Sequence, residues 1–135
     1  MAYKIEEIEG IGPSFAEKLA KANIKTTDDL LEYCTSAKGR KETASFTGVT
    51  ETQLLKWANM ADLMRISGVG RQYSELLEAS GVDTVKELAT RNVENLTAKM
   101  KEVNEVKNLA NATPSAADIE KWVTQAKEIG PKITY

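Results

Sequence analysis

The chain has 135 residues, 41% of them apolar, and 18 basic against 20 acidic side chains leave a net charge of −2. That length suits one ordinary domain, or two small ones sharing a core, and the near-neutral balance excludes a global electrostatic pull toward nucleic acid. With Cys34 the sole cysteine and no histidine present, an intrachain disulfide and a Cys/His zinc centre are both excluded.

The charge is even along the chain: residues 1–61 hold eight bases and nine acids, and residues 62–135 hold ten and eleven. Any anion site must therefore be local. No early apolar run resembles a signal peptide, and no stretch approaches the roughly 18 apolar residues a membrane-spanning helix needs. The expectation is a cytoplasmic protein that does not enter the membrane.

In chain order, nearly every segment reads as helix, with apolar period near 3.6 and clear capping signals. Tyr3–Glu9 is predicted as a short first helix that ends at Gly10-Ile11-Gly12. Pro13 opens the next, where its missing N–H costs nothing, and that helix runs to about Ala22. Thr26–Tyr33 follows, with Asp29 three residues after the capping threonine. Lys38–Phe46 is weakened by Gly39, by Thr43 and by the adjoining Thr47. Thr50, with Gln53 completing a capping box, starts a helix predicted to reach Ile66. Arg71–Ser80, Thr84–Thr90, Glu94–Leu109 and Ser115–Ile129 complete the set. Pro131 to Tyr135 reads as a tail.

Two of these segments repeat each other 58 residues apart: Ile8-Glu9-Gly10-Ile11-Gly12 through Leu19, and Ile66-Ser67-Gly68-Val69-Gly70 through Leu77. Asn23–Leu30 aligns with Gly81–Leu88 in the same register, and in both a threonine, Thr26 or Thr84, starts a helix with an acid three residues on, Asp29 or Glu87, as a capping box or its Asp-containing relative. Leu54-Leu55-Lys56-Trp57 answers Ile119-Glu120-Lys121-Trp122 at an offset of 65, so the second copy is about seven residues longer. The chain is an internal duplication, read as repeats over 1–61 and 62–135 that share a central helix at about 50–66. Two glycines around one apolar residue make a tight turn, and the helix that follows offers free N–H groups and a positive dipole end to an anion.

At these turns the chain resembles the helix-hairpin-helix motif. Its two copies, two tryptophan helices and length also resemble an uncharacterised bacterial family of tandem helix-hairpin-helix proteins of unknown function. The resemblance implies an all-α fold in which two such repeats form one compact domain. It also implies binding to the DNA backbone without sequence readout. The implied phosphate ligands are N–H groups from Ile11 and Gly12 through Ser14, and from Val69 and Gly70 through Gln72, with Gly10 and Gly68 making the turns. In some members a monovalent cation also bridges hairpin carbonyls and a phosphate. Strong binders place a base two residues after the second glycine, where this chain has Ser14 and Gln72. Arg65 and Arg71, with Lys18 and Lys21, are the candidate replacements, while Glu9, Glu17 and Glu75 oppose phosphate. The other reading of the same glycines is a purely architectural corner, with an acidic helical surface docking a protein partner.

Arg40 to Trp57 resembles the helix-turn-helix of bacterial regulators, with Ala44 and Gly48 at its turn and Thr52, Gln53 and Lys56 facing outward. Lys38, Arg40 and Lys41 would lie beside that helix as a basic patch. The plainer reading is a helical corner that packs Trp57 inward. Trp57 and Trp122 are expected in the core rather than as stacking platforms. Lacking histidine, a partner for Cys34, an Asp-x-Asp-like cluster and a nucleotide loop, the chain is read as no enzyme and as having no cofactor.

Overall fold

The structure, a computed structural model, describes residues 2–135. After a three-residue 3-10 turn at Ile5–Glu7 come eight α-helices among the described residues. They are α1 Pro13–Ala20, α2 Thr27–Cys34, α3 Ala37–Thr47, α4 Glu51–Leu63, α5 Arg71–Ala79, α6 Val85–Ala89, α7 Val93–Lys107 and α8 Ala116–Ile129. The described residues include no β-strand, and no helix is long and apolar enough to cross a membrane. Together the helices form one compact all-helical domain.

Local chemistry sets most boundaries. Reciprocal capping boxes start α2 (Thr26 with Asp29), α4 (Thr50 with Gln53) and α8 (Ser115 with Asp118). Each satisfies two backbone donors that the first turn leaves orphaned. Gly48 and Asn108 close α3 and α7 in the left-handed conformation, at φ +79° and +50°, the usual way to turn a chain out of a helix.

The packing repeats with the sequence. α2 lies on α4 as α6 lies on α8; α3 packs on α2 and α4, and α7 on α8 and α5. Two apolar clusters result. The first is built around Leu19, Leu30 and Trp57 and the second around Leu76, Leu88 and Trp122, all 4% exposed or less. α4 serves both, sending Met60, and Met64 just past its end, into the first and Leu63 into the second.

Four expectations are corrected. Of the helix expected over Tyr3–Glu9 only a 3-10 turn at Ile5–Glu7 forms: Lys4 is extended and pairs in a single antiparallel bridge with Thr26. The Ile5 N–H donates to the Lys25 carbonyl at 3.0 Å, and the Thr27 N–H to the Tyr3 carbonyl at 2.9 Å. α4 stops at Leu63 rather than Ile66, because Met64 to Ile66 turn back toward the glycines through hydrogen bonds from residues 65 and 66 to residues 62 and 63. At Thr84 only half a capping box forms, since Glu87 holds Arg91 at 2.9 Å instead of reaching back.

The fourth concerns Pro131 to Tyr135, which is no loose tail. It crosses to the first cluster, where Ile133 is 7% exposed. The Thr134 N–H donates to the Thr35 carbonyl at 2.8 Å. Two arginines hold this strap. Arg65 donates to the Gly130 carbonyl at 3.2 Å, and Arg40 to the Thr134 carbonyl at 2.7 Å.

Candidate anion-binding face at the glycine turns

Gly10 and Gly68 stand at φ +97° and +92°, a region closed to most side chains. A second constraint comes from each copy's own tryptophan: a Cβ on Gly10 would lie 3.4 Å from the Trp57 Nε1, and one on Gly68 would lie 3.3 Å from the Trp122 Nε1. The aromatics after the turns complete the arrangement. Phe15 meets Trp57 edge-on at 5.1 Å between centroids, and Tyr73 meets Trp122 at 5.2 Å. Both tryptophans are core anchors, 3% and 4% exposed.

The second glycines are different. Gly12 and Gly70 are extended, at φ −91° and −108°, a conformation any residue adopts. A Cβ on Gly12 would meet nothing within 4 Å, and one on Gly70 would touch only the Tyr3 ring, at 3.9 Å. Nothing inside the fold demands glycine there. Each is the N-cap of the next helix without offering a capping side chain.

That sets α1 and α5 apart. The other six helices all have a side-chain N-cap: Thr26, Ser36, Thr50, Thr84, Asn92 and Ser115. Five of those six also carry an acid in the first turn, whereas α1 and α5 carry none. Among the described residues, the N–H groups of Gly12, Ser14 and Phe15, and those of Gly70, Arg71, Gln72 and Tyr73, meet no acceptor. The positive ends of both helix dipoles are therefore left bare. The Ile11 and Val69 N–H groups, expected to point outward, instead close the turns by donating to Ile8 and Ile66, each at 3.1 Å. Their side chains plug the core at 5% and 0% exposure.

The two turns face one another. Arg71, the first residue of α5, donates from Nε and Nη2 to one Glu9 oxygen at 3.1 and 2.8 Å. The pair is about half exposed, so it adds well under about 1 kcal/mol to stability. It does fix the position of the only arginine at the turns. The hydrogen bond and charge of Glu9 push the Arg71 pKa up, with smaller contributions from Glu7 and Glu75. Burial, then Glu9, push Glu75 up.

The other expected bases are distributed differently. Arg65 is turned inward: it pairs at 2.7 Å with Asp62, itself 1% exposed, and holds the start of the strap. Gln72 accepts from the Asn111 N–H at 3.1 Å and ties α5 to the loop before α8. Lys18 is exposed and lies over the Phe15 ring at 5.5 Å, one turn from the helix start. Lys21 sits past the end of α1, roughly 12 Å along the axis from its first turn, and lines a groove with Tyr33 and Phe46. Arg40 is 4% exposed and holds the Cys34, Thr35 and Thr134 carbonyls, so the basic patch proposed for a recognition helix reduces to Lys38 and Lys41. The importance of Glu9 was missed. The signal was the complementary divergence of the copies: Glu9 answers Ser67, and Arg71 answers Pro13. No His/Cys/Asp/Glu group suited to a metal occurs among the described residues.

No curated protein and no solved structure matches the chain. A family model described as a domain of unknown function (DUF4332) matches residues 9–129, from the residue that grips Arg71 to the end of α8. Because that match covers both turns and every helix, the chain belongs to this uncharacterised domain family.

Proposed function

We propose that this is a tandem helix-hairpin-helix protein that binds the DNA backbone without sequence readout, as a non-catalytic adaptor in the cytoplasm. The observation that carries the reading is the pair of adjacent, uncapped and acid-free helix starts at Gly12 and Gly70, in a chain that caps every other helix. Glycines with no internal reason to be glycine let a phosphate approach the bare N–H groups closely. Gly70–Gln72 with Arg71 form the main site, and Gly12–Ser14 with Lys18 form the second, Lys21 contributing at longer range. Arg65 drops out of the expected set, since it is held by Asp62.

Binding through so few charges is modest and weakens with salt, with a log–log slope of about −2 to −3. Fluorescence anisotropy of labelled duplex DNA across low to moderate salt tests this. Arg71→Glu should reduce affinity at least tenfold with unchanged helical content, whereas removing the base alone, as in Arg71→Gln, should flatten the slope by about one unit. No binding at the lowest salt, or full binding by Arg71→Glu, defeats the proposal.

One observation favours a second reading, in which the turns are architecture and the partner is a protein. Glu7, Glu9 and Glu75 all act on Arg71, so carboxylates outnumber bases at that point. Loss of DNA binding in every variant and in the parent protein would select it.

A further inference from the structure

Two large apolar side chains stand out on the surface at corresponding places in the two copies. Phe46 precedes the left-handed cap Gly48 by two residues and is 69% exposed; Val106 precedes the left-handed cap Asn108 by two residues and is 81% exposed. Their surroundings differ. Phe46 is a ridge between two depressions, one of about 310 Å³ lined by Lys21, Asn23, Tyr33 and Glu42 among others, and one of about 510 Å³ lined by Lys41, Glu42 and Ser45. Tyr33 is itself 43% exposed, and neither ring belongs to an aromatic or cation–π pair among the described residues.

The fold does not need this groove. In the second copy the position of Tyr33 is Arg91, which lies across the corresponding corner and donates to the Gly81 carbonyl at 2.7 Å and to Glu87. A depression of about 330 Å³ at that corner, lined by Arg91, Ser80, Asn92, Asn95, Leu96 and Lys99, does not include Val106, which projects from α7 as a knob flanked by exposed Glu102, Glu105 and Lys107. Two bases and an acid (Lys21, Lys41, Glu42) around the groove thus answer two acids and a base around the knob. Groove and knob are opposite in shape and in charge, and both belong to this chain.

We infer that a second copy of this chain docks the Val106 end of α7 into the Phe46 groove. The contact is independent of the glycine turns and of whether they bind DNA. An exposed apolar residue set in a rim of opposite charges gives specificity more than affinity, so association is weak, in the high micromolar range, and loosens with salt. Two such contacts related by a two-fold axis close a dimer; unrelated contacts extend into chains.

Sedimentation velocity from 10 µM to 1 mM in low salt reads this directly. The expected result is a sedimentation coefficient that rises with concentration for the parent protein, and falls back to the monomer value in Phe46→Glu and in Val106→Glu. Both positions are exposed, and circular dichroism checks that each variant remains helical. Lys41→Glu and Glu105→Lys should each weaken association about tenfold, and their combination in one chain should restore it at least partly. A coefficient independent of concentration overturns the inference. So does association that survives Phe46→Glu, or that Phe46→Glu removes and Val106→Glu leaves intact, which would point to a different occupant of the groove.

Discussion

Eight residues before its left-handed cap, the second copy buries Met100 at 0% exposure; at the same place the first copy buries Arg40 at 4%. A guanidinium cannot be left without acceptors in a core, and Arg40 finds three carbonyls, at Cys34, Thr35 and Thr134. The third belongs to the strap, which also brings Ile133 into the first cluster. The second copy thus closes with its own apolar residues, whereas the first borrows chain from beyond the last helix. A similar exchange occurs at the start of the second helix of each copy. In the first copy the orphaned N–H of Thr27 donates to the Tyr3 carbonyl, from an extended segment; in the second the equivalent Val85 N–H donates to the Asp62 carboxylate at 2.8 Å. The second copy is entered through α4 instead of an extended segment, and there a side chain takes the role. One motif can therefore be satisfied by backbone or by side chain, depending on what precedes it.

The comparison breaks first at Asp62. Asp62→Ala leaves Arg65 without its counter-ion and the Val85 N–H without its acceptor, and should cost about 3–5 kcal/mol in urea unfolding. A loss under about 1 kcal/mol would mean that the Asp62 carboxylate is not needed to satisfy those buried groups. Next, Ile133→Ala should cost about 2 kcal/mol, the low end for a core isoleucine. Its effect should be confined to the first copy, with faster amide exchange around Thr35 and greater thiol reactivity at Cys34. That thiol is fully buried, and burial pushes its pKa up, so it should be inert in the parent protein. Equal acceleration in both copies would show that the strap supports the whole domain. The smallest effects test what the copies share: Gly10→Ala and Gly68→Ala should each cost about 1–2 kcal/mol, through positive φ and the approach of an indole. Unequal losses would show that the two corners are not equivalent.

What could be read from the sequence was local. The glycine corners, the boxes at Thr26, Thr50 and Ser115, and the inward tryptophans depend on residues a few positions apart or on a repeated pattern. What escaped depends on distant backbone. Arg65 reaches a carbonyl 65 residues away and Arg40 one 94 away, and no spacing rule marks an arginine whose partners are peptide groups. Arg65 therefore read as a base for phosphate and Arg40 as part of a basic patch beside a recognition-like helix. Glu87 shows the converse: the local spacing predicts that it caps, but Arg91 one turn later takes the carboxylate. At the candidate site the glycines were legible. The Glu9–Arg71 pair was not, because it joins the two copies across space rather than within either one.

Residues 3 and 134 are anchored to the same helix. Tyr3 bonds Thr27 at the start of α2, and Thr134 bonds Thr35 just beyond its end, so the two anchors lie roughly 12 Å apart along eight residues of helix. A linker of a few residues would join Thr134 to Tyr3. The chain could then be reopened in the exposed stretch Asn111–Thr113 between α7 and α8, giving a circular permutant in which the strap precedes the segment it now follows.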